Sequence, residues 1–405
     1  MAEAVIEIDD STNVCPVCDD QFPKDTIQQH VETHFNNEDK NDSENTIKAR
    51  CTSPASACKR QSDQNEKDEM LAKRLQQEEI KEVERQKVKE NEEFKKLQQM
   101  YGMSSESDYV KQYNQSLDKE VSRNKLSMAE YHSKKEKLFD SLLSGEESGE
   151  SCTKGVVSQL QQQICARGPL TNHFIRLCCP TDHFSSSYGD KSWGCGYRNL
   201  QMLLSALIKL EHYKEAVLKV CQTIPSIPRI QCLIEDAWHD GFDQVGAAQL
   251  GHKLTETKKW IGATEITVAL RFMNLRTHIV DFHQPTSADG THPELFAWVK
   301  RYFSKGVPQI PIYIQHQGHS RLVVGFEERC MKKKTEHLIL FDPSNSPKQM
   351  QQLFGSQRQQ NAGFNLLRKT TNQIKSKQYQ LVYVDGIMNE AEKQGSKVLS
   401  STRIP

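Results

Sequence analysis

An excess of charge of either sign is missing from this chain. Its 405 residues carry 53 Lys and Arg against 53 Asp and Glu, so the net charge is zero. That excludes a global electrostatic draw toward nucleic acid, and no sequence-specific DNA binding is expected. Long apolar runs are missing too. No stretch approaches the ~20 apolar residues of a membrane span, so no membrane partner is expected. The opening Met1-Ala-Glu-Ala-Val-Ile-Glu-Ile-Asp-Asp10 has neither the basic flank nor the apolar stretch of an export leader. The twelve cysteines are scattered. No disulfide scaffold is expected, and they read as thiols of a reducing compartment. Tryptophan is scarce: all four lie beyond residue 151, with most other aromatic residues, so that part carries the core.

The composition changes sharply along the chain. Residues 1–36 read as a small metal-bound module and residues 37–65 as a polar linker rich in Asn, Asp, Ser and Lys. Within the next block, 66–150, the stretch Glu66–Met100 holds 19 charged residues in 35 with no Gly or Pro. It reads as a long solvated helix. The Ser/Gly/Glu-rich stretch Ser144–Ser151 marks the last boundary, and residues 151–405 read as one large domain.

That domain contains Ser192-Trp-Gly-Cys-Gly-Tyr-Arg-Asn199, followed at once by the amphipathic run Leu200–Leu210. Cys195 thus sits between two glycines at the start of a predicted helix. A helix N-terminus offers free N–H groups and a partial positive charge, and both favour a thiolate. The flanking glycines read as room for a substrate backbone, with Trp193 as a wall of the same narrow channel. The bland alternative is a buried, inert thiol.

A nucleophilic thiol needs a base, and the base needs an orienting group. Pro311–Gly325 reads as strand, tight loop, strand, with His316-Gln317-Gly318 as a three-residue loop flanked by Gln315 and His319. The next strand, His337–Asp342, stops at Pro343. Pairing it with His319–Phe326 around a charged loop, Glu327–Glu336, brings His319 opposite Asp342. The roles follow: Cys195 attacks, His319 moves the proton, and Asp342 fixes the imidazole. Gln315 donates to the oxyanion beside the Cys195 N–H. His316 is the rival base and Ser186 the rival oxyanion donor. Taken singly, His319 could be a satisfied strand-end histidine and Asp342 a turn residue; their joint placement favours chemistry.

At the other end, Cys15-x2-Cys18-x11-His30-x3-His34 has zinc-ligand spacing. Two thiolates and two imidazoles suit a closed, structural zinc site. Its segment carries Asp19, Asp20, Asp25 and Glu32 against Lys24 alone, which would repel phosphates and suits a basic protein partner. Further on, Leu71, Ala72 and Leu75 share one helical face with acidic residues at both ends, a pattern fit for a shallow apolar patch. A charged helix with a narrow coiled-coil stripe is the plain alternative.

Asp182–Asn199, Gln315-His-Gln-Gly-His319 and Asp342-Pro343 together resemble the papain-like cysteine peptidases that process ubiquitin and ubiquitin-fold modifiers. The resemblance covers roughly Ser151–Pro405. It implies an α+β fold, a papain-like peptidase domain preceded by a zinc finger and a long charged helix. In relatives that act on the ubiquitin-fold modifier, the Asp and His lie together in an Asp-Pro-His run. Here Asp342 comes well after His319, which points to the ubiquitin-directed branch. The finger is similar to ubiquitin-binding fingers, and the Leu71–Leu75 helix resembles a motif interacting with ubiquitin. The implied activity is hydrolysis after the ubiquitin C-terminal glycine through a thioester, with no catalytic cofactor. The implied partners are ubiquitin and polyubiquitin, with lysine-63 linkage preferred. The implied setting is nucleus and cytoplasm, alongside genome-maintenance proteins. A basic ubiquitin tail would need carboxylates along its channel, and Asp243 and Glu265 are the candidates. A protease for another modifier shares the mechanism. A non-catalytic ubiquitin-binding adaptor does not.

Overall fold

The computed structural model describes residues 12–14, 21–23, 78, 81, 85, 109–166, 168, 172–306, 309–330 and 334–404. The chain divides into two units, Met1–Arg85 and Gln86–Pro405. In the first, strands β1 (Thr12–Val14) and β2 (Gln21–Pro23) pair antiparallel, with Asn13 opposite Phe22. This hairpin brackets residues 15–20. The expected zinc ligands Cys15, Cys18, His30 and His34, and the helix residues Leu71, Ala72 and Leu75, lie outside the described residues. Glu78, Lys81 and Arg85 are helical.

The second unit opens with two helices, α1 (Tyr109–Ser122) and α2 (Met128–Ser144). The Ser127 hydroxyl accepts from the Glu130 N–H, and the Glu130 carboxylate accepts from the Ser127 N–H, so α2 starts on a reciprocal cap. It ends at Gly145, whose φ of 74° is the left-handed turn that glycine adopts readily. There follow β3 (Cys152–Thr153), α3 (Val156–Ala166), β4 (His173–Leu177) and β5 (His183–Phe184). Next come α4 (Cys195–Ile208), α5 (Glu211–Leu218), α6 (Ile227–His239), α7 (Gln244–Gln249) and α8 (Ala263–Phe272). The chain continues through β6 (Leu275–Phe282), α9 (Pro293–Phe303), β7 (Ile312–His316), β8 (His319–Cys330) and β9 (Lys334–Phe341). It closes with α10 (Pro347–Gln351), α11 (Gln357–Leu367), β10 (Arg368–Thr370), β11 (Tyr379–Ile387), α12 (Glu390–Gly395) and β12 (Ser401–Ile404).

The main sheet has eight strands in the order β10-β9-β8-β7-β11-β6-β12, and β4 also pairs with β8. All its pairs are antiparallel except β12 with β6. Strand β8 is the spine. Its first half pairs with β7 and its second half with β4 on one edge, while β9 runs along the other. Both α4 and α9 pack on it, which is why Leu322–Glu327 is buried throughout rather than alternating. Helix α4 is nearly enclosed: every residue from Gly196 to Leu207 is buried. The expected mixed helix-and-sheet domain is present, with a central helix laid against an antiparallel sheet.

Two readings of the sequence need correction here. Most of the charged run Glu327–Glu336 is strand, not loop. Strands β8 and β9 extend into it as far as Cys330 opposite Lys334, and Lys334 pairs with Glu328 across the ladder at 3.0 Å. The boundary at Ser151 also falls too late. Tyr113 and Leu117 of α1 are buried with Leu138 of α2, and Tyr109 and Tyr188 pack against that cluster. Gln112 accepts from the Trp193 indole N–H at 3.2 Å. Residues upstream of Ser151 therefore help to line a cleft that Cys195 also lines.

Candidate active site

Strands β7 and β8 turn through Gln317-Gly318, with His316 opposite His319 and Gln315 opposite Ser320. The loop is thus one residue shorter than expected, and Gln315 faces Ser320 instead of His319. Gly318 takes a φ of 85°, a left-handed value that glycine adopts without strain. Further along, the β8–β9 register places Leu322 opposite Phe341 and breaks at Val324 with a bulge. That register differs by two residues from a simple hairpin through His319 and Asp342. The pair still meets, because Asp342 lies just past the end of β9, free of that ladder register. His319 Nε2–H donates to Asp342 Oδ1 at 3.0 Å and lies 3.1 Å from Oδ2.

Cys195 is the first residue of α4, as expected, with Gly194 at the cap. Burial alone would push its thiol up. The hydrogen bond and charge of His319, with the Ser320 hydroxyl and backbone, outweigh this and bring it below the usual thiol range. Burial likewise opposes charge on His319. Its bonds to Asp342 and to Cys195 win, and raise the ring to about 9. Asp342 is held far below the usual carboxylate range: burial acts upward, and His319, the Ser344 side chain and Arg321 act downward more strongly. The three directions agree. Together they describe a thiolate beside an imidazolium, steadied by a carboxylate.

The glycines beside Cys195 do not make room for substrate. A side chain at Gly194 would lie 2.4 Å from Asp190 Cβ, and one at Gly196 would lie 2.4 Å from the Ile261 carbonyl oxygen. Their space is used by the chain itself. Trp193 likewise is core, 1% exposed and set edge-on to Tyr197 and Tyr109. Trp260 is the tryptophan that lines both clefts beside Cys195.

One of these clefts, about 480 Å³, is lined by Trp260–Gly262, Tyr313, Gln315–Ser320, Gln378 and Gln380. The other, about 720 Å³, lies toward α1 and contains Ser186, Tyr188, Trp193 and Pro343. Gln315 shares the first cleft with Cys195. Its Oε1 accepts from the Ala263 N–H and the Tyr313 hydroxyl, and its Nε2 donates to Gln380 at 2.7 Å. One amide N–H is left for an oxyanion. Ser186, the rival donor, gives its backbone N–H to the Pro343 carbonyl at 2.7 Å.

Asp243 and Glu265 line neither cleft. Asp243 caps α7, accepting from the Gly246 N–H at 3.2 Å. Glu265, 6% exposed, caps α8 by accepting from the Gly262 N–H at 2.7 Å. Burial pushes its carboxyl up despite that bond. Both are thus backbone caps, the role that short loops before helices select for. The sequence also hid His183. It is fully buried, and burial lowers its ring to about 4 even though Nε2 sits 2.9 Å from the Asp342 carbonyl oxygen. Among the described residues no cluster of three His, Cys, Asp or Glu is arranged to hold a metal. No described helix is long and apolar enough to cross a membrane.

The chain is 39% identical over 394 residues to zinc finger-containing ubiquitin peptidase 1 of Mus musculus, covering 94% of this chain and 64% of that protein. The Homo sapiens protein of the same name is 40% identical over 355 residues, covering 84% of this chain and 60% of that one. Ubiquitin carboxyl-terminal hydrolase mug105 of Schizosaccharomyces pombe is 36% identical over 168 residues, covering 40% and 64%. The chain therefore spans about three-fifths of the length of the first two. Residues 171–382, which hold Cys195, His319 and Asp342, match the model of peptidase family C78. With that match over more than half its length, the chain belongs to peptidase family C78.

Proposed function

We propose that this chain is a thiol isopeptidase that hydrolyses the bond after the C-terminal glycine of ubiquitin, on polyubiquitin chains. The carrying observation is the His319–Asp342 pair, bonded at 3.0 Å, in the same cleft as Cys195, the first residue of a buried helix. The curated relatives, which are named ubiquitin peptidases, support the substrate class. In the reaction, the Cys195 thiolate adds to the glycine carbonyl carbon. The resulting oxyanion faces the Cys195 N–H and the free N–H of Gln315. His319 then gives its proton to the departing lysine amine, leaving a thioester. Water, losing a proton to His319, displaces the thiolate and frees the modifier. Asp342 keeps the imidazole in the orientation both steps need.

The amino-terminal segment fits this reading as a set of weak ubiquitin sites: a zinc finger on Cys15, Cys18, His30 and His34, and a helix presenting Leu71, Ala72 and Leu75. Preference for lysine-63 chains, action in nucleus and cytoplasm, and genome-maintenance partners belong to the same proposal by family resemblance. The test is a ubiquitin probe with a C-terminal thiol-reactive group. Labelling should occur at Cys195 and be absent with the equivalent ubiquitin-fold-modifier probe. The reverse selectivity would assign the chain to that other modifier. No labelling by either would leave a binding adaptor.

A further inference from the structure

Asp342 has more partners than an orienting carboxylate needs. Besides His319, its Oδ1 accepts from the Ser344 N–H at 2.9 Å and its Oδ2 accepts from Arg321 Nε at 2.6 Å. Arg321 lies two residues beyond His319 on β8, so both side chains leave one face of the strand. Its fork reaches a second group, for Nη1 donates to His316 Nε2 at 3.3 Å. The His316 ring is itself fixed. Nδ1–H donates to the Gln317 carbonyl at 3.1 Å, which makes Nε2 the acceptor, and the ring meets Tyr379 at 5.7 Å between centroids. Burial first, and Arg321 next, keep this histidine below its ordinary range and therefore neutral. The rival base is thus occupied as a prop, and the guanidinium spans it and the carboxylate.

We propose that Arg321, braced by His316, is a positioning residue that holds the Asp342 carboxylate against His319. Four other groups bear on this arrangement: Cys195 from α4, His316 from β7, Asp342 after β9, and His183 from β5 on the Asp342 carbonyl oxygen. The guanidinium does two things at once. It fixes the carboxylate by a charge-assisted bond, and it offsets part of the negative charge that His319 would otherwise feel alone. Without it, the full carboxylate charge should hold the proton on the imidazolium to higher pH, while the less constrained pair should slow the reaction.

The experiment reads both effects. Alkylation of Cys195 by iodoacetamide, followed against pH, shows a step where the imidazolium loses its proton. This needs no ubiquitin. A ubiquitin-fluorophore substrate, which rests on the function proposed above, gives kcat and KM. In Arg321→Gln the alkylation step should move up by about 0.5–1 pH unit. Its kcat should fall about 5–50-fold with KM within about twofold. Arg321→Lys keeps the charge and loses the fork: the step should stay in place while kcat falls. His316→Phe keeps the packing on Tyr379 but removes the acceptor, so kcat should fall about 2–5-fold with the step unmoved. An unmoved step in Arg321→Gln overturns the proposal, as does a loss confined to KM. Should Arg321→Gln fail to fold, Arg321→Lys with full kcat would overturn it equally. If the unmutated chain turns over no ubiquitin substrate, the alkylation profiles decide it on their own.

Discussion

At the scale of single residues, chemistry here follows from two opposing pulls on ionisation. Burial disfavours charge on Cys195, His319 and Asp342, and their mutual bonds restore it. The sign of the pH dependence follows. His319 is raised to about 9, so its proton is present below that pH and is lost as pH rises through it. Turnover should hold a plateau through neutral pH and fall above about 9. A profile already falling below pH ~7, the region where an unperturbed histidine titrates, would show that His319 is not so held. Cys195→Ala should abolish cleavage and spare ubiquitin binding. His319→Ala should match it, and Asp342→Ala should be severe but less complete, since it only orients. Initial rates and binding isotherms of the three variants check this ordering. These three residues were legible because each carries a local signal: a helix start, a turn, a strand stopped by proline. Arg321 and His183 carried none. An arginine inside a strand and a histidine between Asp182 and Phe184 acquire meaning only when folding brings them to Asp342.

At the scale of elements, strand register decides what can meet, and one buried acid secures it. Glu327 on β8 is fully buried, yet it binds across three strands besides its own. Its Oε1 accepts from His173 of β4 at 2.8 Å, and Arg368 of β10 donates to both oxygens, at 2.6 and 3.0 Å. His337 of β9 lies 3.7 Å away, and Arg329 of β8 donates at 2.9 Å. Burial would raise this carboxyl, but the two arginines outweigh it and hold it at about 2, below its ordinary 4.5. A lowered folded-state value means the stabilisation is present above about pH 4.5 and lost as pH falls toward 2. Glu327→Gln should therefore cost about 3–5 kcal/mol at neutral pH, and the gap to the unmutated chain should shrink between those two values. Denaturant melts at several pH values measure it; a gap independent of pH would assign the cost to packing instead. The sequence reading took this same stretch for a loop because its charges looked solvated. Among the described residues several of them pair, Lys334 with Glu328 across the ladder and Glu327 with Arg368, which composition alone does not distinguish from a surface run. The start of α4 was legible by contrast, since Gly-Cys-Gly ahead of an apolar helical stripe is a local pattern.

At the scale of the whole chain, the question is where the peptidase begins. Composition places the boundary at Ser151, because the stretch Ser144–Ser151 is rich in Ser, Gly and Glu and most aromatic residues follow it. The folded contacts run across that line. Tyr109 meets Trp193 edge-on, and its ring occupies the space a side chain at Gly189 would need. Glu147 accepts from Arg198 at 2.8 Å, and Arg198 also binds Asp190 and the Ser151 and Ser187 hydroxyls while fully buried. That network and α1 together grip residues 185–194. Within this stretch Ser192 adopts a φ of 81°, a strained value for a residue with a side chain. Strain of this kind persists only where the surroundings over-determine it. Two truncations should then behave differently. Removing residues 1–100 takes away the proposed finger and the proposed ubiquitin site at Leu71, Ala72 and Leu75, but leaves α1, α2 and Glu147. Hydrolysis of a ubiquitin-fluorophore substrate should be nearly unchanged, while cleavage of long chains weakens, because extra sites raise effective concentration only for multivalent substrates. Removing residues 1–150 exposes Trp193 and leaves Arg198 with one carboxylate of its two. An unpaired buried charge costs several kcal/mol, so this shorter chain should lose activity on both substrates and melt well below the first. Equal activity of the two truncations on the fluorophore substrate would mean that α1 and Glu147 contribute nothing to the Cys195 loop.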